Sequence, residues 1–301
     1  MATSDRWHVR NDRRLPIGQV AAETLRTRLD AVWDELRAAG SDTVAPEHVH
    51  GLRVATRRTL AAFDAFASLI PAKRRAWFEK RLRRLRRVAG DARDLDVLTD
   101  RLNQDGAARA RSRLIAMLSK QRVTSRLPIR EQFERLVEQD WPSRVERLVA
   151  SVRGRRRRAG YRTFARRRLK PMVDAFFARA DRRLRDGGDM HAVRIEGKKL
   201  RYALEIFAAA LPPRGRDRCE QALERLQRTL GRFTDHAAAA DRLRRWARGT
   251  DAGPNHDLLV SLCAEERRQA ARARKAFSRW WNPARRRTLR RRFERTLRRT
   301  A

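Results

Sequence analysis

The sequence predicts an all-α protein made of two similar helical bundles, related by a pseudo-two-fold axis and by a tandem repeat with an offset of about 141 residues. Three observations carry that expectation. Apolar residues recur at three- and four-residue steps along almost every segment. Strand signals are missing: there is no β-branched alternation, and there are only two tyrosines. One half of the chain also matches the other half in a single register.

The start, "MATSDRWHVRNDRRLP", is polar and charged, so residues 1–14 are expected to be a tail and not a leader peptide. Breakers then divide the chain: "AAGSDTVAPE" (38–47), "LIPAKR" (69–74), "RDGGDM" (185–190), "LPPRGR" (211–216) and "GTDAGPNHD" (249–257). The segments between them give roughly ten to twelve helices packed as bundles. "SDTVAPE" offers a Ser or Asp cap before the second helix. In 50–70, Leu52, Ala55, Thr59, Ala62, Phe63, Phe66 and Ile70 form one apolar stripe, with His50, Arg53 and Arg57 on the opposite side. In the next helix, Phe78, Leu82, Leu85 and Ala89 face one way and Lys80, Arg83, Arg84 and Arg87 the other. The run 153–170 is expected to cross between halves and open the second bundle. There, Val193, Leu200, Ala203, Leu204 and Phe207 make the stripe, and His191, Arg194, Lys198 and Arg201 lie across from it. The last helix carries Leu289, Phe293 and Leu297 as an apolar strip in an arginine-dense run. The tryptophans, including Trp33, Trp77, Trp246, Trp280 and Trp281, read as core and helix-junction residues.

A shift of 141 lays residues 49–102 on 190–243 without a gap, with about 16 of 54 positions identical. His50 meets His191, Arg53 meets Arg194, and Arg57 and Arg58 meet Lys198 and Lys199. Phe66 meets Phe207, and Pro71 meets Pro212. Leu82, Arg84, Leu85, Arg87, Gly90 and Asp94 meet Leu223, Arg225, Leu226, Arg228, Gly231 and Asp235. Core leucines repeat because both halves need the same packing. Surface cations have no such reason, so the matched basic set marks a candidate site: His50, Arg53, Arg57, Arg58, Arg84 and Arg87, then His191, Arg194, Lys198, Lys199, Arg225 and Arg228.

The composition indicates what such a site would hold. Lys plus Arg number 74 against 36 Asp plus Glu, a formal net charge of +38 over 301 residues. Self-repulsion on that scale calls for counter-ions or a polyanion. Nucleic acid, an inorganic phosphate polymer or an anionic membrane would each supply one. Arginine dominates and holds phosphate bidentately, although a GC-rich genome would produce the same bias. The two cysteines, Cys219 and Cys263, have no local partner, so neither a disulfide framework nor a zinc site is expected. No run approaches the ~20 apolar residues that cross a bilayer, and a soluble, cytoplasmic protein is expected.

"VHGLRVATRRTLAAFDAF" followed by "LRRLRRVAGDARDLDVL", then "MHAVRIEGKKLRYALEIF" followed by "LERLQRTLGRFTDHAAAA", resembles the CHAD domain, the conserved-histidine α-helical domain. The resemblance covers about residues 15–290, with repeat halves of about 15–150 and 151–290 and a basic C-terminal end at 291–301. It implies helical halves around a basic central cavity that binds inorganic polyphosphate, with phosphate or sulfate also able to occupy the site. The signature histidine carries over to His50 and His191. The basic positions that follow it carry over to Arg53, Arg57 and Arg58, and to Arg194, Lys198, Lys199 and Arg201. Two departures weaken strict symmetry. Thr59-Leu60 stands where the second copy has Leu200-Arg201, and "DARDLDV" stands where the second has "RFTDHAA". The acidic E-x-E-x-K signature of the triphosphate-tunnel domain often fused to CHAD is absent, so a stand-alone CHAD protein is expected.

Polyphosphate has no bases to read, so its recognition rests on charge density and shape. Cations three and four residues apart on a helix stand roughly 5–6 Å apart, a spacing suited to a string of anions. Asp94 and Asp235 repeat as well, and are expected to cap a helix or to orient an arginine. Phosphoryl transfer needs metal-holding carboxylates or a P-loop, and no G-x-x-x-x-G-K-[ST] occurs. The expectation is therefore a non-enzymatic polyphosphate-binding protein without a cofactor or metal, acting at polyphosphate granules. A general nucleic-acid-binding basic helical protein is the alternative.

Overall fold

Pro16 and Pro71 illustrate how the chain starts its helices: each fixes φ just before the first helical turn, where its missing N–H costs no helix hydrogen bond. The computed structural model describes residues 15–41, 46–104, 108–155, 160–182, 184, 187–249, 253 and 255–298. The expected N-terminal tail, and Asp42 as a cap, lie outside the described residues. The helices are α1 (Ile17–Ala39), α2 (Pro46–Ala65), α3 (Ala72–Gln104), α4 (Ala108–Thr124), α5 (Leu127–Glu138), α6 (Trp141–Arg153), α7 (Tyr161–Ala180), α8 (Gly187–Ile206), α9 (Pro213–Ala247), α10 (His256–Trp280) and α11 (Pro283–Arg298), with a short 3-10 turn at Ala208–Ala210. The described residues contain no strand, so the protein is all-α as expected.

The chain divides into two units, Met1–Tyr161 and Arg162–Ala301. In the first, α1 packs on α2, α5 and α6, α2 packs on α3, and α3 packs on α4 and α5. In the second, α9 is the centre and packs on α8, α10 and α11. Each unit contains one long hairpin. The helices α2 and α8 begin 141 residues apart and end 141 residues apart, and α3 and α9 begin at the same offset.

The predicted stripes are the cores. Leu52, Ala55, Thr59, Ala62, Phe63 and Phe66 are fully buried, as are Leu82 and Ala89, and in the second unit Leu200 and Phe207. Leu289, Phe293 and Leu297 bury the inner face of α11. Aromatic clusters close both units. Trp33 stacks on Trp141 at 6.2 Å, and Phe78 meets Trp141 edge-on at 5.1 Å. In the second unit Trp281 lies against Phe277 and Phe176, and its indole N–H donates to the Ala180 carbonyl at 3.2 Å.

Three polar anchors were not evident from periodicity. Arg28 is fully buried on α1; its guanidinium donates to the Arg58 carbonyl at 2.7 Å, while Thr59 donates back to the Arg28 carbonyl at 3.1 Å. A buried charge is tolerated only with such partners. Asp96, also fully buried, accepts from Arg122 at 2.5 Å and lies 3.6 Å from Arg126, tying α3 to the α4–α5 corner. In the second unit the neighbouring register position is His236, whose Nδ1 lies 2.5 Å from Glu266 on α10. The "DARDLDV"/"RFTDHAA" departure is thus a change in how each hairpin is tied to the helix that follows it. The Ser41 hydroxyl donates to the Ala38 carbonyl at 2.9 Å and so closes α1.

Candidate anion-binding site

The α2–α3 hairpin assembles its cationic face around Gly90. The Arg53 guanidinium donates to the Gly90 carbonyl at 2.9 Å and lies 3.6 Å from the Asp94 carboxylate. A Cβ on residue 90 would stand 3.3 Å from the same guanidinium nitrogen, so a larger residue would press on the Arg53 side chain. Arg57 donates back to the Arg53 carbonyl at 3.2 Å. His50 is exposed one turn before Arg53. Its imidazole is held below the ordinary 6.5 by desolvation, then by the charges of Arg93, Arg57 and Arg53, with Glu35 opposing. The Arg86 guanidinium is likewise pushed down, by desolvation and by Arg57 and Arg83. Arg53, Arg57 and Arg93 thus act on His50, and Arg57 and Arg83 on Arg86, so five cations share this face.

The α8–α9 hairpin repeats the anchor. Arg194 lies 3.6 Å from Asp235, the same separation as Arg53 from Asp94. Both repeated aspartates orient an arginine, one of the two roles expected of them. His191 is exposed, and Lys198 and Arg201 continue its face as half-buried side chains. Lys199 turns to Glu196 at 2.9 Å. Among the described residues, no three His, Cys, Asp or Glu side chains gather where they could share a metal ion.

The repeated set is not one surface. Arg225 lies over the Trp280 ring at 5.7 Å, on the α10 side of α9, while Gln227 two residues on reaches the Gly197 carbonyl of α8 at 3.1 Å. Two residues on a helix point about 160° apart. By the same register Arg84 points away from Arg86 and from the α2 face, and is exposed. Arg228 pairs with Glu224 at 3.0 Å, and Arg87 is exposed. Arg58 sits about 100° round from Arg57, with its carbonyl engaged by Arg28.

Sequence reasoning missed Arg83, Arg86 and Arg93. Repetition marks a residue only where both halves carry a base, and Glu224, Gln227 and Thr234 stand at the matching positions. The available signal was their helical spacing: Arg86 and Arg93 flank Gly90, the residue that Arg53 approaches.

The CHAD domain family model matches residues 15–244. The chain belongs to the CHAD family. Solved structures similar to this CHAD chain include the crystal structure of the CHAD domain from the plant Ricinus communis, with a TM-score of 0.72 and 21% identity over 88% of this chain and 90% of that one. Another is PptA from Streptomyces chartreusis, with a TM-score of 0.56 and 21% identity over 89% of this chain and 99% of that one. No curated protein matches the chain. At that identity the likeness carries the CHAD fold and no residue roles. Among the described residues, no helix is long and apolar enough to cross a membrane.

Proposed function

We propose that this CHAD protein binds inorganic polyphosphate without turning it over, and through that binding localises to polyphosphate granules or scaffolds other proteins there. The observation that carries the reading is the hairpin face on which His50, Arg53, Arg57, Arg86 and Arg93 crowd together, with its arginine–aspartate anchor repeated at the same 3.6 Å in the second unit. Mutually repelling cations fixed by helix packing are relieved by a dense anion chain, and need no base to read. Family membership supports the same ligand, because the CHAD resemblance implies it.

Nucleic acid is the weaker reading, for a specific reason. Single strands bind on aromatic faces as well as on charge. Trp77 has guanidinium groups of Arg81 and Arg144 at 3.7 and 4.6 Å from its ring centre. Trp280 has Arg285 and Arg225 at 4.6 and 5.7 Å. A stacking base would have to displace arginines from either ring.

The test is neutralisation. A His50→Gln, Arg57→Gln, His191→Gln, Lys198→Gln variant is expected to lose at least about a hundredfold in polyphosphate affinity by titration calorimetry, the scale of two charge-assisted contacts at about 1.5 kcal/mol each. Arg287→Gln, Arg291→Gln, Arg295→Gln, on the exposed face of α11, is expected to change affinity less than about twofold because these charges lie outside the repeated set. Comparable losses from both variants would favour diffuse polyanion binding over this site.

A pH dependence follows from His50. Its lowered pKa keeps it neutral in the free protein near pH 7. A bound anion chain offsets the three arginines and raises that pKa, so binding takes up a proton and tightens as pH falls. Affinity is expected to rise about threefold from pH 7.5 to 6, within the tenfold per unit that one linked proton allows, and His50→Gln should flatten this component. Folding has the opposite sign: the fold favours neutral His50, so stability declines as pH drops below the unfolded value near 6.5.

A further inference from the structure

We propose that the two hairpins are unequal anion-binding surfaces, with α2–α3 supplying most of the affinity for a polyanion and α8–α9 acting as a weaker, largely self-neutralised copy. This rests on the polyphosphate reading for its natural ligand, but the inequality itself concerns any dense anion.

The 141-residue offset matches the two faces residue for residue. In the first hairpin the facing positions carry Arg53, Arg57, Arg83, Arg86 and Arg93, with Asp94 as the anchor. In the second the same positions carry Arg194, Lys198, Glu224, Gln227 and Thr234, with Asp235 as the anchor. The first face thus carries five arginines and one aspartate, and the second carries one arginine, one lysine, one glutamate and one aspartate. Another position favours the second hairpin, which has Arg201 where the first has Leu60. It restores one charge of the difference.

The ion pairs deepen the contrast. A repeated pair, Arg75–Glu79 at 2.6 Å and Arg216–Glu220 at 3.9 Å, is common to both hairpins, and Glu79 also takes Arg83 at 2.6 Å. Beyond these the second hairpin is stitched: Arg194 to Asp235, Lys199 to Glu196 and Arg228 to Glu224. In the first, Arg53 has Asp94, but among the described residues none of Arg57, Arg86 and Arg93 has a carboxylate within ion-pair distance. Arg57 and Arg93 act on His50 and Arg57 acts on Arg86, two groups whose pKa values are lowered first by desolvation and then by these like charges. A cation already paired to a carboxylate presents little net field to an incoming anion. A crowded cluster presents its full charge, and binding also relieves its internal repulsion.

The inequality is tested on the full chain, with sodium polyphosphate of about 100 phosphates and with heparin as probes, and with each variant's thermal midpoint measured alongside. Arg86→Gln, Arg93→Thr gives the first hairpin the second hairpin's residues, and is expected to lower affinity for both probes about tenfold or more. Lys198→Gln, Arg201→Gln removes two cations from the second hairpin, and is expected to cost less than about threefold. The reciprocal change, Glu224→Arg with Gln227→Arg, is expected to raise affinity for both probes, so the idea stays testable if the first variant folds poorly. Equal losses from the two neutralising variants, or no gain from the reciprocal one, would overturn it. If heparin shows the inequality while polyphosphate does not bind the wild type, the unequal hairpins stand and the polyphosphate reading falls.

Discussion

Raising sodium chloride from about 50 to about 200 mM is expected to weaken polyphosphate binding by about a thousandfold. A linear polyanion carries condensed counter-ions, and each cation that replaces one makes affinity fall with the logarithm of salt; about six such contacts give a loss of that size. On the first hairpin Arg57, Arg86 and Arg93 have no carboxylate within ion-pair distance among the described residues, and a dense anion chain is expected to draw Arg53 and Arg83 from Asp94 and Glu79 as well. His50, protonated on binding, brings the contacts to six. A slope from titrations at four or five salt concentrations measures the number directly. A loss of tenfold or less would mean that only one or two charges engage the ligand, and the crowded face would not be the site. The Arg86→Gln, Arg93→Thr variant should also show a slope shallower by about two contacts, which separates lost phosphate contacts from a distorted fold.

Gly18→Ala is expected to be the most damaging small substitution in the first unit. Gly18 opens α1, where the end of α6 lies against it. A Cβ there would overlap the Arg155 carbonyl and crowd the Val152 and Arg153 carbonyls at 2.8 Å or less. These are backbone atoms, so no flexible side chain can yield, and α1 and α6 must separate or the α6 end must unwind. Overpacking of that kind costs about 3 kcal/mol, which for a unit of this size lowers the melting midpoint by about 6–12 °C. Gly51→Ala gives the contrast: its Cβ would meet only the Glu35 side chain, which can swing aside. A calorimetric scan should show a large shift for residue 18 and a smaller one for residue 51. A Gly18→Ala protein melting within about 2 °C of the wild type would show that the α1–α6 contact is looser than described.

The contrast between Arg86 and Arg84 shows how far the sequence could be read. Helical period located the stripes, because burial along a helix forces apolar residues into every third or fourth place, and Leu52 to Phe66 follow that rule without exception. The gapless repeat located the hairpins, since α2 with α8 and α3 with α9 share an offset to the residue. It also identified Asp94 and Asp235, whose carboxylates do orient Arg53 and Arg194. Repetition was a poorer guide to the site. It selects what both halves need, and a charge can recur for packing, as Arg225 does against Trp280. It rejects what only one half has, and Arg86 and Arg93 belong to one half. Arg28 and Asp96 were illegible for another reason. A lone charge on an apolar stripe looks like an error in the pattern until the buried carbonyl or guanidinium that satisfies it is seen.

The most direct measurement is a competition at about 150 mM salt, with a labelled duplex and a labelled single strand bound to the full chain and long-chain polyphosphate titrated in at matched phosphate concentration. A crowded cationic face that reads charge density alone should release both nucleic acids well before equivalence, and the four-residue neutralised variant should lose that advantage. Retention of either nucleic acid at equal phosphate would contradict polyphosphate as the ligand of these hairpins.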